Sequence, residues 1–183
     1  VKQFRNNFQV PIEQSSSVRG SLSGELLARC VVETGTSSHY TAIRHTTQEP
    51  VLKEICHRLA SDELRHYRTF YETSKTFLAT DKISLAGRIK VVAGRVLELG
   101  DEERAHAYYA ANDEKGPFDH KRNSQAYARR VYAIYQPHVV ERIVAMLFKI
   151  VGLKPHGWIC RFIGRRAHSF MQGRARRLAR AGV

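Results

Sequence analysis

Apolar residues recur with a helical period from Pro50 to Leu78, PVLKEICHRLASDELRHYRTFYETSKTFL. Proline suits a first helical turn and the next glycine or proline is far downstream, so the pattern predicts one long unbroken helix. With about 100° between successive residues, one mostly apolar face carries Leu52, Ile55, Cys56, Leu59, Glu63, His66, Tyr67 and Phe70. Glu63 and His66 lie in the middle of this face, where an ionised carboxylate has to be paired, hydrogen-bonded or bound to metal.

The same helix contains a second Glu-x-x-His pair, Glu54 and His57, nine residues earlier in the chain. Nine residues at about 100° each place this pair on the opposite side of the helix. Charged residues on the outer side of an amphipathic helix are ordinarily solvated. We therefore expect Glu54 and His57 to be exposed, and Glu63 and His66 to be the functional pair.

A preceding helix is predicted from about Ser21 to Thr47, with Ser21 or Ser23 available as the N-cap. Glu33 lies on its most regular inward-facing line. Further apolar residues, including Leu27 and Val31, widen the apolar surface beyond one stripe. The pattern therefore predicts a helix that is buried on more than one side.

The break between these two helices, residues 48–50, is short. Helices joined by a short connection are usually antiparallel neighbours, so Glu33 is expected to face Glu63 and His66. The small polar cluster GTSS at 35–38 is poor for helix propensity, and it indicates either close helix packing or access for a small molecule.

Helical patterns continue to the end of the chain, so the predicted fold class is all-α. Helices are predicted up to about Leu99, from the acidic residues at 101–103 to about Asn112, and over 124–153 with a boundary at Pro137. The predicted organisation is a lead-in segment over 1–20, a helical domain over 21–153 and a basic tail, helical in places, over 154–183.

A chain of 183 residues that is 43% hydrophobic can bury one substantial core. It has no apolar run long enough for a membrane span and no signal-peptide core at its beginning, so a cytoplasmic location is expected. The three cysteines, Cys30, Cys56 and Cys160, are an odd number without paired spacing, which favours reduced, buried thiols over disulfides.

The formal net charge is +13 and the pI is about 10.1, so a macromolecular partner is expected to be acidic. After Leu153 the chain has eight Lys or Arg and no acidic residue. Within this tail, Trp158, Ile159, Phe162 and Ile163 group on one side. The tail is predicted to dock an acidic carrier protein or an anionic surface, with a solvated basic tail as the alternative. Nucleic acid is disfavoured because no readout motif is present.

A Glu followed three residues later by His places a carboxylate and an imidazole one turn apart on the same helix face. In four-helix di-iron proteins, each half of the site combines such a helix with a lone Glu from a second helix. Glu33, Glu63 and His66 have the composition of one such half. A buried hydrogen-bonded pair of Glu63 and His66, supported by Arg29 or Arg65, is the alternative.

The stretch CVVETGTSSHYTAIRHTTQEPVLKEICHRLASDELRHYRTFYE resembles the second half of the metal site in soluble acyl-carrier-protein desaturases and related ferritin-like proteins. In that family a helix with Glu-x-x-Thr precedes a helix with Asp-Glu-x-x-His. The resemblance implies Glu33 and Glu63 as carboxylate ligands and His66 as a nitrogen ligand. It also implies that Thr36 lies on the oxygen-binding side and that Asp62 supports a ligand.

The resemblance covers about residues 25–75 and implies a ferritin-like bundle, here with additional C-terminal helices. The implied activity is that of a di-iron oxidoreductase, which uses dioxygen for desaturation, hydroxylation or a related oxidation. Two iron ions per complete site are the implied cofactor, and manganese is an alternative. A non-catalytic helical protein that binds an acidic partner, a membrane surface or nucleic acid through its basic C-terminus is the alternative function.

The family's other half site, with its own lone Glu and Glu-x-x-His, precedes the matching segment. One expectation is that an N-terminal helical pair is missing, since the numbering opens at Val1 and not at methionine. A second is a twofold homodimer in which each chain contributes the three ligands. A third uses Glu103 and His106 as a second choice of ligands, although both could belong to an exposed acidic first turn.

Several tyrosines lie near the predicted site, among them Tyr40, Tyr67 and Tyr71. They could provide an electron path. Core packing with a hydrogen-bonded hydroxyl is the favoured role.

Overall fold

The computed structural model describes residues 19–98, 102–112 and 116–182, apart from the side chains of residues 102 and 103. This part of the chain forms seven α-helices and no strand, so the all-α prediction is confirmed. They are α1 (Leu22–Thr46), α2 (Pro50–Asp81), α3 (Leu85–Glu98), α4 (Glu102–Asn112), α5 (His120–Ile134), α6 (Pro137–Val151) and α7 (Trp158–Arg180). No helix in the described ranges is long and apolar enough to cross a membrane. The predicted lead-in lies outside these residues except for its last two positions.

The first two helices begin at residues that satisfy free backbone N–H groups. The Ser21 side chain accepts a hydrogen bond from the Gly24 amide at 3.1 Å, so the first of the two predicted caps is the one used. Glu49 caps α2, and Pro50 occupies its first turn as predicted. Helix α2 ends at Asp81 and not at Leu78, because the chain stays helical until Lys82 takes a left-handed conformation with φ 48°.

Helices α1 and α2 form an antiparallel pair, as predicted. At one end, the Ser23 amide near the start of α1 donates to the Asp81 carboxylate at the end of α2, over 3.0 Å. Helix α1 is buried over much of its circumference, including Leu27 and Val31. The prediction of burial on more than one side is therefore confirmed, and α1 is the central helix of its neighbourhood.

Part of the small polar cluster in α1, Ser37 and Ser38, is fully buried. The buried Thr34 hydroxyl donates to the Cys30 carbonyl at 2.7 Å, and the buried Ser37 hydroxyl donates to the Thr34 carbonyl at 3.2 Å. Such bonds satisfy a hydroxyl inside its own helix and leave a small surface for a neighbour. Close helix packing therefore matches the geometry at the fully buried Ser37 and Ser38, whereas a Cβ at Gly35 would meet nothing within 4 Å, so access for a small molecule stays open there.

Arg142 ties α6 to this small surface of α1. Its guanidinium donates to the Thr41 hydroxyl at 3.0 Å and to the Ser37 carbonyl and Ser38 hydroxyl at 3.4 Å. Burial lowers the pKa of Arg142 from its ordinary value. Sequence alone does not single out Arg142, because its partners are about 100 residues away and only the packing of α6 on α1 brings them near.

The described residues divide into two compact units. The large unit contains residues 19–97 and 134–168, and the small unit contains Glu98, 102–112, 116–133 and 169–182. Within the small unit, the Tyr109 hydroxyl donates to the Gly116 carbonyl at 2.6 Å, and the Gln172 amide donates to the Tyr132 carbonyl at 3.0 Å. The predicted division after residue 153 stays a prediction.

The three cysteines are all buried and unbridged, in agreement with the prediction of buried thiols. Burial, together with the negative charge of Glu33, raises the pKa of the Cys30 thiol to about 12. A thiol with such a pKa stays protonated at neutral pH and is a poor nucleophile or metal ligand.

Candidate metal centre

Helices α1 and α2 bring Glu33, Glu63 and His66 together. One carboxylate oxygen from each glutamate and one imidazole nitrogen all lie within 4.8 Å of one another. His66 Nδ1 is 3.2 Å from Glu63 Oε2 and 3.8 Å from Glu33 Oε2. The spacing Glu-x-x-His aligns two of these side chains on α2, and the antiparallel packing of α1 adds the third. We call these residues the half-site cluster.

The half-site cluster lies at the edge of the buried surface and not inside it. The side chain of His66 is 60% exposed, and Leu52 and Ile55 on the same face of α2 are also exposed. This corrects the expectation that the apolar face of α2 packs inward throughout. The line that does so carries Cys56, Ala60, Tyr67 and Ser74, and it is rotated by about 60° from the predicted one.

Electrostatics within the half-site cluster favour a proton or a cation. Burial and the neighbouring Glu63 carboxyl raise the pKa of Glu33 to about 7, and the positive charges of His66 and Arg29 oppose this rise. Two carboxyl groups that face each other at the edge of a core cannot both ionise without cost. A divalent cation between them would remove that repulsion.

The raised pKa of Glu33 predicts a pH-dependent stability of the metal-free protein. Because the folded state favours protonated Glu33, its contribution is fully present below the ordinary pKa of 4.5 and is lost as pH rises through about 7. Relative to Glu33→Gln, the wild type should lose about 1 kcal/mol of unfolding free energy between pH 5 and pH 8, a value reduced for solvent screening. Urea denaturation in the presence of a chelator measures this difference, and parallel pH profiles for the two proteins would contradict it.

The other residues implied by the resemblance lie close to the half-site cluster. Thr36 is one turn after Glu33 on α1, and its half-buried hydroxyl donates to the Val32 carbonyl at 3.2 Å. Asp62 forms an ion pair with Arg65, both on α2. Thr36 therefore borders the site with its hydroxyl directed to its own helix, and the described bond of Asp62 runs to an arginine and not to a predicted ligand.

The alternative of a buried, hydrogen-bonded Glu63–His66 pair agrees with the structure in the 3.2 Å contact but not in burial, because the His66 side chain is 60% exposed. Of the two arginines considered as its support, Arg65 binds Asp62, whereas Arg29 lies over the Phe70 ring at 5.7 Å and acts on Glu33 through its charge. The pair alone does not account for Glu33, which joins the cluster from the other helix.

The second Glu-x-x-His pair is exposed, as predicted. Glu54 accepts a hydrogen bond from Arg58 at 2.8 Å, and this bond lowers the pKa of Glu54. His57 is also exposed. The pair has the same spacing and helix as Glu63 and His66 but no carboxylate of α1 beside it, and it therefore serves as a matched control.

Glu103 and His106 are the second predicted pair of ligands. The side chain of Glu103 lies outside the described residues, so its role as a ligand stays a prediction. His106 is buried and stacks on Phe118 with 3.8 Å between ring centroids. The expectation of an exposed first turn is therefore wrong for His106, because the Phe118 ring stacks on its imidazole.

Tyr67 differs from the expectation that buried tyrosines have hydrogen-bonded hydroxyls. It stacks on Tyr71 at 5.8 Å, but its buried hydroxyl has no hydrogen-bond partner among the described residues. Burial raises the pKa of Tyr67 well above its ordinary value. The ring therefore fills the interface of α1 and α2, in keeping with a packing role.

No protein-family model matches the chain, and comparison with curated proteins and with solved structures finds no match either. The convergence of Glu33, Glu63 and His66 is thus the observation on which a functional assignment has to stand.

Proposed function

We propose that this protein is a ferritin-like di-iron oxidoreductase and that Glu33, Glu63 and His66 bind iron as one half of its metal centre. The observation that carries this proposal is the convergence of two carboxylates and one imidazole within 4.8 Å. Carboxylate oxygen and imidazole nitrogen together suit ferrous iron, and manganese is an alternative for a carboxylate-rich position. A bound ferrous pair supplies the electrons needed to activate dioxygen.

A complete centre of this class uses a Glu from each of two helices and a Glu-x-x-His from each of two others. The half-site cluster supplies one of each. A second copy of the chain related by a twofold axis would double this set, as would an additional helical pair from another segment. The exposed side of His66 is where the opposing half is proposed to pack, and it explains why a ligand residue lies beside exposed Leu52 and Ile55.

The residues around the ligands have separate proposed roles. Glu33 holds a proton near neutral pH and gives it up when a cation replaces it, because its raised pKa reflects burial and the charge of Glu63. Thr36, one turn along α1, is proposed to border the oxygen pocket.

Ferrous loading under anaerobic conditions tests the proposal. Iron bound per chain is measured after desalting, oxygen uptake is measured after mixing with air-saturated buffer, and the molecular mass is measured with and without iron. We expect at least one iron per chain, since a shared pair would give each of two chains one ion. Iron below half an equivalent, or iron binding without oxygen uptake, would overturn the proposed activity.

The molecular mass separates the sources of the opposing ligands. A twofold centre predicts a dimer that is stabilised by iron, because the metal binds across the interface and favours the assembled state. A monomer with two bound irons would exclude the dimer and direct the search to the Glu103–His106 alternative or to another segment of the chain.

A further inference from the structure

The outward surface at the start of α7 consists of large apolar side chains. Trp158, Ile159, Phe162 and Ile163 are between 41% and 73% exposed, and we call these four residues the α7 apolar patch. Single exposed apolar residues are common on soluble proteins. Four contiguous ones that include a tryptophan and a phenylalanine mark an interaction surface.

The opposite side of α7, in the same turns, packs against α6. Cys160 is buried against Val144 and Ala145, with Phe148 packed beside them. A Cβ at Gly164 would lie 3.2 Å from the Glu141 Cα, so the two helix backbones approach closely at this glycine. Rotation of α7 about its axis would break this packing. The α7 apolar patch is therefore held facing outward.

The charged residues of the segment that carries the α7 apolar patch are all basic, and Glu141 of α6 lies on the opposite, packed side at Gly164. Arg161, Arg165 and Arg166 are exposed on the same three turns, and Lys154 is exposed just before them. From Lys154 to the end of the chain there is no Asp or Glu. The partner therefore has to offer negative charge and an apolar layer together.

An anionic lipid bilayer offers both. An amphipathic helix with Trp, Phe and aliphatic residues beside arginines lies in the plane of a bilayer, with its apolar side chains below the headgroups and its cations at the phosphates. Nucleic acid would use the arginines but would leave Ile159 and Ile163 exposed, because aliphatic side chains do not stack on bases. A convex patch on one helix also needs a deformable surface, whereas a folded protein would need a matching groove.

We propose that residues 158–166 bind the surface of an anionic lipid bilayer. Trp158, Ile159, Phe162 and Ile163 insert between the headgroups, and Arg161, Arg165 and Arg166 contact lipid phosphates. The protein thereby lies on the membrane, consistent with the finding that no described helix is long and apolar enough to cross one. This surface is independent of the half-site cluster, and its test needs no metal.

The experiment uses the whole metal-free chain and vesicles of phosphatidylcholine with about one third phosphatidylserine. Cosedimentation gives the partition constant. Trp158 is the only tryptophan of the chain, so its fluorescence reports on the α7 apolar patch alone. We expect binding, a blue shift of the emission, and partitioning at least about 10-fold weaker on pure phosphatidylcholine.

Two sets of variants test the two parts of the surface. Ile159→Ser with Phe162→Ser is expected to lower partitioning at least about 10-fold, since two inserted apolar side chains are lost. The matched control is Leu85→Ser with Leu97→Ser, which removes two exposed leucines of α3 and should leave partitioning unchanged. Replacement of Arg161, Arg165 and Arg166 by Gln should lower partitioning on anionic vesicles about 100-fold.

Circular dichroism checks that each variant retains its helices. Absence of vesicle binding by the wild-type chain would overturn the proposal, as would binding that leaves the Trp158 emission unchanged. Equal loss in the α3 control would also overturn it, because the effect would then follow general hydrophobicity. A blue shift on mixing with RNA but not with vesicles would assign the surface to nucleic acid instead.

Discussion

Replacement of His66 by alanine is expected to weaken ferrous iron binding by at least about 100-fold, whereas His57→Ala should leave it unchanged. Both histidines lie on α2, and each is three residues after a glutamate. The two histidines differ in whether a carboxylate of α1 lies beside them. His66 has Glu33 Oε2 at 3.8 Å, whereas the nearest described partner of the other pair's Glu54 is Arg58. The comparison therefore isolates the contribution of α1 to the site.

Anaerobic titration with ferrous ion, followed by calorimetry or by competition with a chromogenic chelator, measures this difference. The His66 side chain is 60% exposed, so its truncation should change the unfolding free energy by no more than about 0.5 kcal/mol. A ferrous affinity of the His66 variant that is unchanged from the wild type would remove His66 from the ligand set. Equal losses would show that iron binds to α2 without help from α1.

Replacement of Leu27 by alanine is expected to destabilise the protein by about 3 kcal/mol. Leu27 is 0% exposed in the middle of the buried surface of α1, and a truncated leucine leaves both lost apolar contact and a cavity. Leu22 lies on the same helix and is 51% exposed, so Leu22→Ala should cost no more than about 0.5 kcal/mol. The two substitutions delete the same atoms from one helix.

Urea denaturation followed by circular dichroism gives both free energies. With an m-value of about 1–3 kcal/mol/M, the Leu27 variant should show a midpoint lowered by at least about 1 M. Comparable midpoints for the two variants would mean that α1 is not the central packing helix of its unit. The metal-free protein is the proper sample, because bound iron would add its own stabilisation.

The residues of the half-site cluster could be predicted from helical periodicity, but their exposure could not. Glu63 and His66 share a face because their spacing is close to one helical turn, and a short connection makes the two helices antiparallel, which brings Glu33 to them. Both the residue spacing and the length of the connection can be read directly from the sequence, so the cluster could be predicted. The solvent exposure of that face of α2 cannot be predicted in the same way, since it depends on which other helix covers α2. For this reason His66 and Ile55, expected to face inward, lie at a solvent-exposed edge.

The same division applies to the remaining elements. The N-cap at Ser21, the start of α2 at Pro50 and the boundary at Pro137 follow from residue chemistry in the immediate neighbourhood. The end of α2 at Asp81 depends in part on the distant Ser23 amide, which binds the Asp81 carboxylate. The basic tail, predicted to be helical in places, is one continuous helix from Trp158 to Arg180.

By itself, the sequence determined an all-α chain, the position of most helices and the three residues that can form a metal half site, because each follows from spacing over one or two turns. Only the tertiary structure decided that the half-site cluster is open on one side and that the Trp158 face of α7 points outward. Whether a surface is buried depends on which other helix packs against it. That depends on contacts such as Arg142 with Thr41 and Gly164 with Glu141, which no local pattern contains.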